Sequence, residues 1–472
     1  MTIDDIDKYD IARALEEVSF MNSSRSSLRD DNQTGHRVVS GVYYTNWSPY
    51  NELGHFPRDI NFANVTHVYY AFFHVDGKTG NLKSTDSWSD FQIPITTGEG
   101  HPNHPEGCLG ELFILKLHQK FKVLMSIGGW SNRKEFTEAM QDIEKVQNLA
   151  KSCIEIMFRY GFDGIDFDWE YPRNNEYEPR NFVHLIENVR FGLDALEANI
   201  FNTPKRRFEI TVATPGTEDN LQGIRFNRLI PLVDYWNVMT YDYYGEWSDR
   251  TGYHSNLYNP AFQDEYSGSD TTEEEYKEKD EVVKEHSLSA SGIISILCNK
   301  YKVPRNKVVM GMASYGRGFT NVKTNVNSAA YIGKKYSGVG GSGPEKDGTW
   351  KYNELPLTGT EEEFDPMYGS AYCFDKETKT FIGYDNYQSI RMKGEYTWRS
   401  DLAGMFMWES AGDDYKYPNL SLLEIYAHEV HYKLKKDRSP FTEKSLIEFY
   451  LKRYPKNGFL TTYLKTILQN TE

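Results

Sequence analysis

The chain has 472 residues, a net charge of −15 and 15% aromatic residues, among them 34 Tyr and 9 Trp. An acidic balance with no dominant basic patch excludes nucleic acid and anionic membrane surfaces as main partners, and no apolar run reaches the roughly 18 residues of a membrane span. The aromatic content exceeds what a core requires and suits stacking on flat, neutral faces such as sugar rings.

In chain order, residues 1–36 are polar, with no sustained apolar period and no apolar run of signal-peptide length, and predict a mobile leader. From residue 37 onward eight short apolar or β-branched segments are expected as strands: 38–45, 66–73, 121–127, 162–168, 208–214, 234–241, 307–314 and 402–408. Between them, 109–120, 134–160, 179–200 and 287–302 carry apolar residues at helical spacing. Phe182, Leu185, Ile186, Val189, Leu193 and Leu196 form the core-facing stripe of the third. Strands alternating with helices in this number predict an α/β fold, a (β/α)8 TIM barrel whose strands 1–7 lie within 37–317. A doubly wound open sheet is the competitor, but polar or aromatic residues stand at the ends of nearly every strand, as a barrel mouth requires.

The stretch 264–285, dense in Asp, Glu and Lys, reads as a solvated acidic loop or surface helix. Residues 318–384 are too many for a βα connection and include β-like pieces at 350–352, 371–374 and 380–384. They predict a small α+β insertion domain after strand 7 that walls one side of the mouth. Strand 8 and a closing helix at 420–434 complete the barrel within 385–434, and 435–472 is expected as a helical appendix. Cys108, Cys153, Cys298 and Cys373 lack CxxC or metal-ligand spacing and read as free thiols of a reducing compartment, with two disulfides as the alternative.

The fourth strand carries the chemistry. In Phe162-Asp163-Gly164-Ile165-Asp166-Phe167-Asp168-Trp169-Glu170, the acids at 166, 168 and 170 recur at the strand period and face one side, while Ile165, Phe167 and Trp169 call for burial on the other. Carboxylates confined together in a low-dielectric interior cannot all ionise cheaply, so at least one keeps a proton near neutral pH and serves as a general acid. A cation site and a charged strand with no chemistry are the alternatives, but a straight strand cannot wrap an ion, and no metal or cofactor is expected. The other strand ends add Tyr43, Tyr44 and Trp47, then Tyr70 and Phe72, then Trp130, then Met239, Tyr241 and Asp242, then Tyr315 and Arg317, and finally Trp408 with Glu409. Jointly they favour an aromatic stacking cleft.

These segments resemble the family 18 glycoside hydrolases, the chitinase family of (β/α)8 barrels. Asp163-Gly164-Ile165-Asp166-Phe167-Asp168-Trp169-Glu170 matches the family's DGxDxDxE motif, Ser126-Ile127-Gly128-Gly129 its SxGG motif and Met239-Thr240-Tyr241-Asp242 its MxYD motif. Gly311–Arg317 and Met405–Glu409 resemble the seventh and eighth strands, and 318–384 resembles the chitinase insertion domain of the deep-cleft subgroup. The resemblance implies hydrolysis of β-1,4 links in chitin or chito-oligosaccharides, endo-acting and with retention, by a monomer.

It further implies Glu170 as the acid, with the substrate's own N-acetyl oxygen as nucleophile. Asp168 would orient the acetamido N–H and Asp166 would pair with Asp168 and hold a proton. Tyr241 would donate to the acetamido carbonyl and Asp242 accept from a sugar hydroxyl. Trp408 would floor the pocket, and Tyr43, Phe72, Trp130, Met239, Trp247, Tyr315 and Arg317 would line its flanks. Ser126, Gly128 and Gly129 are expected to serve packing, and Asp163, out of phase with the other acids, to be structural. A non-catalytic chitin-binding lectin and an endo-β-N-acetylglucosaminidase acting on N-glycans are the competing readings. With no signal peptide visible, a cytoplasmic location or unconventional export to the cell wall is expected, and soluble oligomers are expected to be better substrates than crystalline chitin.

Overall fold

The computed structural model describes residues 38–50, 54–98, 103–201, 206–260, 288–324, 331–343, 346–415, 417, 419–430 and 436–471. The expected leader at 1–36 and acidic stretch at 264–285 lie outside the described residues.

Eight parallel strands close into a barrel: β1 Val39–Thr45, β2 His67–Val75, β4 Lys122–Gly128, β5 Gly164–Asp168, β6 Glu209–Thr214, β7 Tyr235–Val238, β8 Val308–Ala313 and β14 Gly404–Trp408. β1 pairs with both β14 and β2, so no edge remains among these strands, and a short antiparallel β3, Leu82–Ser84, hangs on β2. Inward residues Val39, Tyr43, Tyr69, Leu124, Val309 and Phe406 pack a lumen core, while Ile165, Phe167 and Trp169 belong to the larger core between barrel and helices. The alternation read in strand four is therefore the alternation of a barrel strand buried on both faces.

Two expected elements differ. The helix expected over 134–160 is two, α1 Arg133–Ala139 and α2 Ile143–Arg159, because the Asp142 carboxylate accepts the Glu144 N–H at 2.8 Å and caps a new N-terminus. The sixth barrel strand, expected over 234–241, ends at Val238: Thr240 turns its hydroxyl onto the Gly311 carbonyl at 2.6 Å, and Asp242 takes a left-handed φ of 60°.

After β8 a second, five-stranded antiparallel sheet forms in the order β10-β9-β13-β12-β11, from β9 Tyr315–Phe319, β10 Thr349–Lys351, β11 Glu362–Asp365, β12 Ser370–Asp375 and β13 Thr380–Tyr384. Its first strand starts one residue beyond the barrel, so Tyr315 and Arg317 stand on this sheet rather than at the end of strand seven. The turn is made at Ser314, whose hydroxyl donates to the Glu409 carbonyl at 2.6 Å and accepts the Glu409 N–H at 2.8 Å, holding β8 to the end of β14.

The C-terminal helix α3 Lys444–Arg453 and the turn before it pack against α2, with the Phe158 ring 5.9 Å from Phe441 and 5.6 Å from Tyr450, and α4 Thr461–Thr471 sets Tyr463 6.5 Å from Phe113. At the foot of β5 the fully buried Asp163 accepts from the Val123 N–H at 2.8 Å, Lys116 Nζ at 2.8 Å and the Ser439 hydroxyl at 2.6 Å. Asp163 thus ties two strands, a helix and the appendix together. Lys116→Met would leave that carboxylate without its cation, and we expect a loss of about 3 kcal/mol of stability by denaturant unfolding, with the site chemistry unchanged. All four cysteines are free thiols.

Candidate active site

β4 and β5 run in register with Ser126 opposite Asp166 and Gly128 opposite Asp168. That register puts the Ser126 hydroxyl 2.7 Å from Asp166 Oδ2, which also accepts from the Tyr43 hydroxyl at 2.8 Å; Oδ1 accepts from Thr211 Oγ1 at 2.6 Å and Asn237 Nδ2 at 3.3 Å. Asp166 is thus saturated by four donors from four other strands, none of them Asp168. Burial raises the Asp166 carboxyl and the four donors pull it back. Asp168 is different: it is buried, and its Oδ1 has no hydrogen-bond partner. Its carboxyl is held well above the usual range by burial first, then by the charges of Glu170 and Asp166. Of the two carboxyls expected to share a proton, Asp168 is thus the one raised without a donor to oppose the rise.

Glu170 follows β5 at the rim and is partly exposed. Burial pushes its carboxyl up to about 7; the hydrogen bond from Tyr171 and the Arg133 charge pull it down, and the Asp242 charge adds to the rise. Close backbone approach beneath the acids depends on glycine: a Cβ on Gly128, at φ 115°, would sit 2.1 Å from the Asp168 carbonyl oxygen, and the Gly129 N–H donates to that same oxygen at 2.8 Å.

Across the mouth, Asp242 Oδ1 accepts from the Tyr315 hydroxyl at 2.9 Å and Arg317 Nε at 2.8 Å. Burial would raise this carboxyl, but His254, 3.8 Å away, and the Arg317 guanidinium outweigh it and hold it below the usual range, so it stays ionised where Glu170 does not. Tyr241 meets Tyr315 and Phe406 edge-on, both at 6.2 Å, and burial keeps its phenol protonated. Trp408 stacks on Phe72 at 5.6 Å and tilts over Tyr43 at 5.3 Å, making an aromatic floor beside the acids, with Met239 packed next to it on the lumen core.

Trp130 and Trp247 are 59% and 55% exposed, each backed by an arginine: Arg133 lies 3.9 Å from the Trp130 ring and Arg317 5.0 Å from the Trp247 ring. Held flat by those cations, they leave a face open for stacking. Tyr43 is a correction. At 2% exposure it cannot flank a subsite; its hydroxyl goes to Asp166 and its ring lies beneath Trp408, so it braces the acids from below.

Ser126, read as a packing residue, is also a donor to Asp166. Thr211 and Asn237 carry no sequence signal for this role beyond Asn237's place on the strand period of Met239 and Tyr241. A surface cavity of about 1080 Å³ beside Thr217, Phe226 and Tyr301 touches none of these carboxylates; the chemistry sits in the open mouth instead. Among the described residues no group of acids, histidines or cysteines has the arrangement of a metal site.

Residues 39–413 match the family described as glycosyl hydrolases family 18. Sporulation-specific chitinase 2 of Saccharomyces cerevisiae is 38% identical over 493 aligned residues, spanning 94% of this chain and 91% of that protein. Endochitinase 1 of Metarhizium robertsii is 32% identical, spanning 79% and 81%. Among solved structures, the catalytic domain of psychrophilic chitinase B from Arthrobacter TAD20 superposes with a TM-score of 0.70 over 86% of this chain and 98% of that one, at 21% identity.

Proposed function

The chain belongs to the family 18 glycosyl hydrolases, and from that membership we propose that it is an endo-acting chitinase cutting β-1,4 links between N-acetylglucosamine units with retention. One observation carries the proposal: Glu170 stands at the rim of the mouth, its carboxyl lifted to about 7, two residues from the buried Asp168, whose carboxyl is raised well above the usual range.

The proposed reaction begins with a sugar over Trp408. Glu170 gives its proton to the glycosidic oxygen as the C1–O bond breaks, and the bond's electron pair leaves with that oxygen. The carbonyl oxygen of the sugar's own acetamido group attacks C1 from the opposite face, and a cyclic oxazolinium forms. Tyr241 donates to that carbonyl and fixes its angle. The unpartnered Oδ1 of Asp168 accepts the acetamido N–H and so offsets the positive charge that develops there. Asp166, with its four donors, anchors the interior end of the acid row. The Glu170 carboxylate then takes a proton from water as the water attacks C1; the bond from C1 to the acetamido oxygen breaks, its electron pair returns to the acetamido group, and the acid is regenerated with the anomeric configuration as it began.

The lectin reading is disfavoured by the acid at 170, and the N-glycan reading by the antiparallel sheet, whose first strand supplies Tyr315 and Arg317 to Asp242. A monomer is part of the proposal: the most exposed tryptophans, Trp130 and Trp247, are taken up in stacking on sugar rather than on a second copy.

The pH dependence has a definite sign. The acid must be protonated to act, so kcat/KM on a soluble oligomer holds below the Glu170 value of about 7 and falls as pH rises through it. Initial rates across pH check this; a profile still flat at about pH 9 would contradict the assignment.

A further inference from the structure

We propose that Glu178 is a positioning residue for the acid at 170: it locks the loop that follows Glu170 to the turn after α1 and so fixes how the acid meets the glycosidic oxygen. The inference rests on the reading of Glu170 as the acid.

Glu178 opens the helix Glu178–Ile200, and its side chain is completely buried. An acid in a helix's first turn ordinarily serves that helix's own N–H groups; this one turns back onto the loop instead. It accepts from the Arg173 main-chain N–H at 2.7 Å, Arg173 Nε at 2.9 Å, Arg173 Nη2 at 2.5 Å, Asn175 Nδ2 at 2.8 Å and Gln141 Nε2 at 3.2 Å. Arg173 itself is 68% exposed, so the ion pair alone adds little. What the five bonds define is the path of 171–177. Asn175 Oδ1 reinforces it by accepting the N–H groups of Tyr177 and Glu178 at 3.0 and 2.9 Å. On the other side, the Pro172 carbonyl lies where a Cβ on Gly223 would be 1.8 Å away.

The end of α1 and the turn after it also hold the residue before the acid. Gln141, the donor to Glu178, also donates to the Thr137 carbonyl at 3.1 Å, and Thr137 Oγ1 receives the Trp169 indole N–H at 3.1 Å. Both flanks of Glu170, Trp169 before it and 171–177 after it, are therefore fastened to residues 137–141. The acid's own side chain has Tyr171 as its hydrogen-bonding neighbour, so its orientation is set through the backbone on either side.

The groups facing Glu170 are Asp168 on the same strand, Tyr171 on the loop, Tyr241 and Asp242 beyond β7, and Arg133 on α1. The Tyr171 hydrogen bond favours the ionised acid. Loosening the loop weakens it, so the alkaline limb of the rate profile moves to higher pH.

The test is Glu178→Gln in the full chain, beside Glu170→Gln, with kcat, KM and the pH profile measured on a soluble chito-oligosaccharide. The amide keeps the shape but sets an NH2 against donors. We expect kcat to fall by about ten-fold or more, because small misplacements of a catalytic group are costly, with KM within about three-fold and the alkaline limb displaced upward. A folded Glu178→Gln protein with wild-type kcat and an unmoved limb overturns the positioning role. Should that variant not fold, Arg173→Met with Asn175→Ala removes the loop-side donors and must show the same fall and displacement; unchanged kinetics there overturn the proposal equally. An active Glu170→Gln protein sinks the assignment of the acid itself, whereas an inert one beside an unaffected Glu178→Gln sinks the positioning role alone.

Discussion

Glu170→Gln should lower turnover of a soluble chitin oligomer by about 10³-fold, within the range removed with a general acid, while oligosaccharide affinity stays within a few-fold. The amide matches the carboxyl in shape and leaves the stacking surfaces of Trp130, Trp247 and Trp408 untouched, so binding survives. The loss is confined to the proton. Asp168 cannot replace it: it lies about 7 Å back along the strand, beneath the sugar rather than beside the glycosidic oxygen. Single-turnover rates paired with calorimetric titration separate the two effects. Activity near wild type would remove Glu170 from the mechanism.

Fully deacetylated chitosan should not be cut at a measurable rate, whatever its affinity. The proposed nucleophile is an atom of the substrate, held at C1 by Tyr241 and Asp168, and the advantage of such an intramolecular attack is on the order of 10⁵ M or more in effective concentration. Removing the acetyl group removes that atom, and no carboxylate of the strand-four row is placed to attack from the opposite face in its stead. End-group release measured on deacetylated and fully acetylated oligomers of equal length checks this. Comparable release from both would require an enzyme nucleophile.

Much of this was legible in the residues because the barrel imposes simple periods. The acids at 166, 168 and 170 alternate with Ile165, Phe167 and Trp169 since a strand buried on both faces must sort its side chains by period two, and that sorting is local. The aromatic residues at strand ends were legible for the same reason. What the sequence hid depends on register between strands. Ser126 reaches Asp166 only because β4 and β5 pair with those two residues opposite, and Thr211 and Asn237 converge from strands 45 and 71 residues farther along the chain.

Tyr43 looked like a sugar-stacking residue because its chemistry suits either role, and only its depth below Trp408 decides. The break at Met140–Asp142 was masked by apolar residues that keep helical spacing on both sides of it, and one capping carboxylate outweighed that pattern. The early start of the second sheet, at Tyr315, follows from pairing with Lys351 of β10, about 36 residues later, which no local pattern announces. Glu178 was hidden in the same way: in sequence it is one more acid at a helix start, and its role emerges only from what folds back upon it.

The central claim, a proton delivered by Glu170 while the sugar's own amide attacks, is tested most directly by following the anomers released from a chitin hexamer with proton NMR as hydrolysis begins. The account predicts that the new reducing ends appear first as the β-anomer and drift to the equilibrium mixture by mutarotation. New ends appearing first as the α-anomer would mean direct attack by water, and would contradict it.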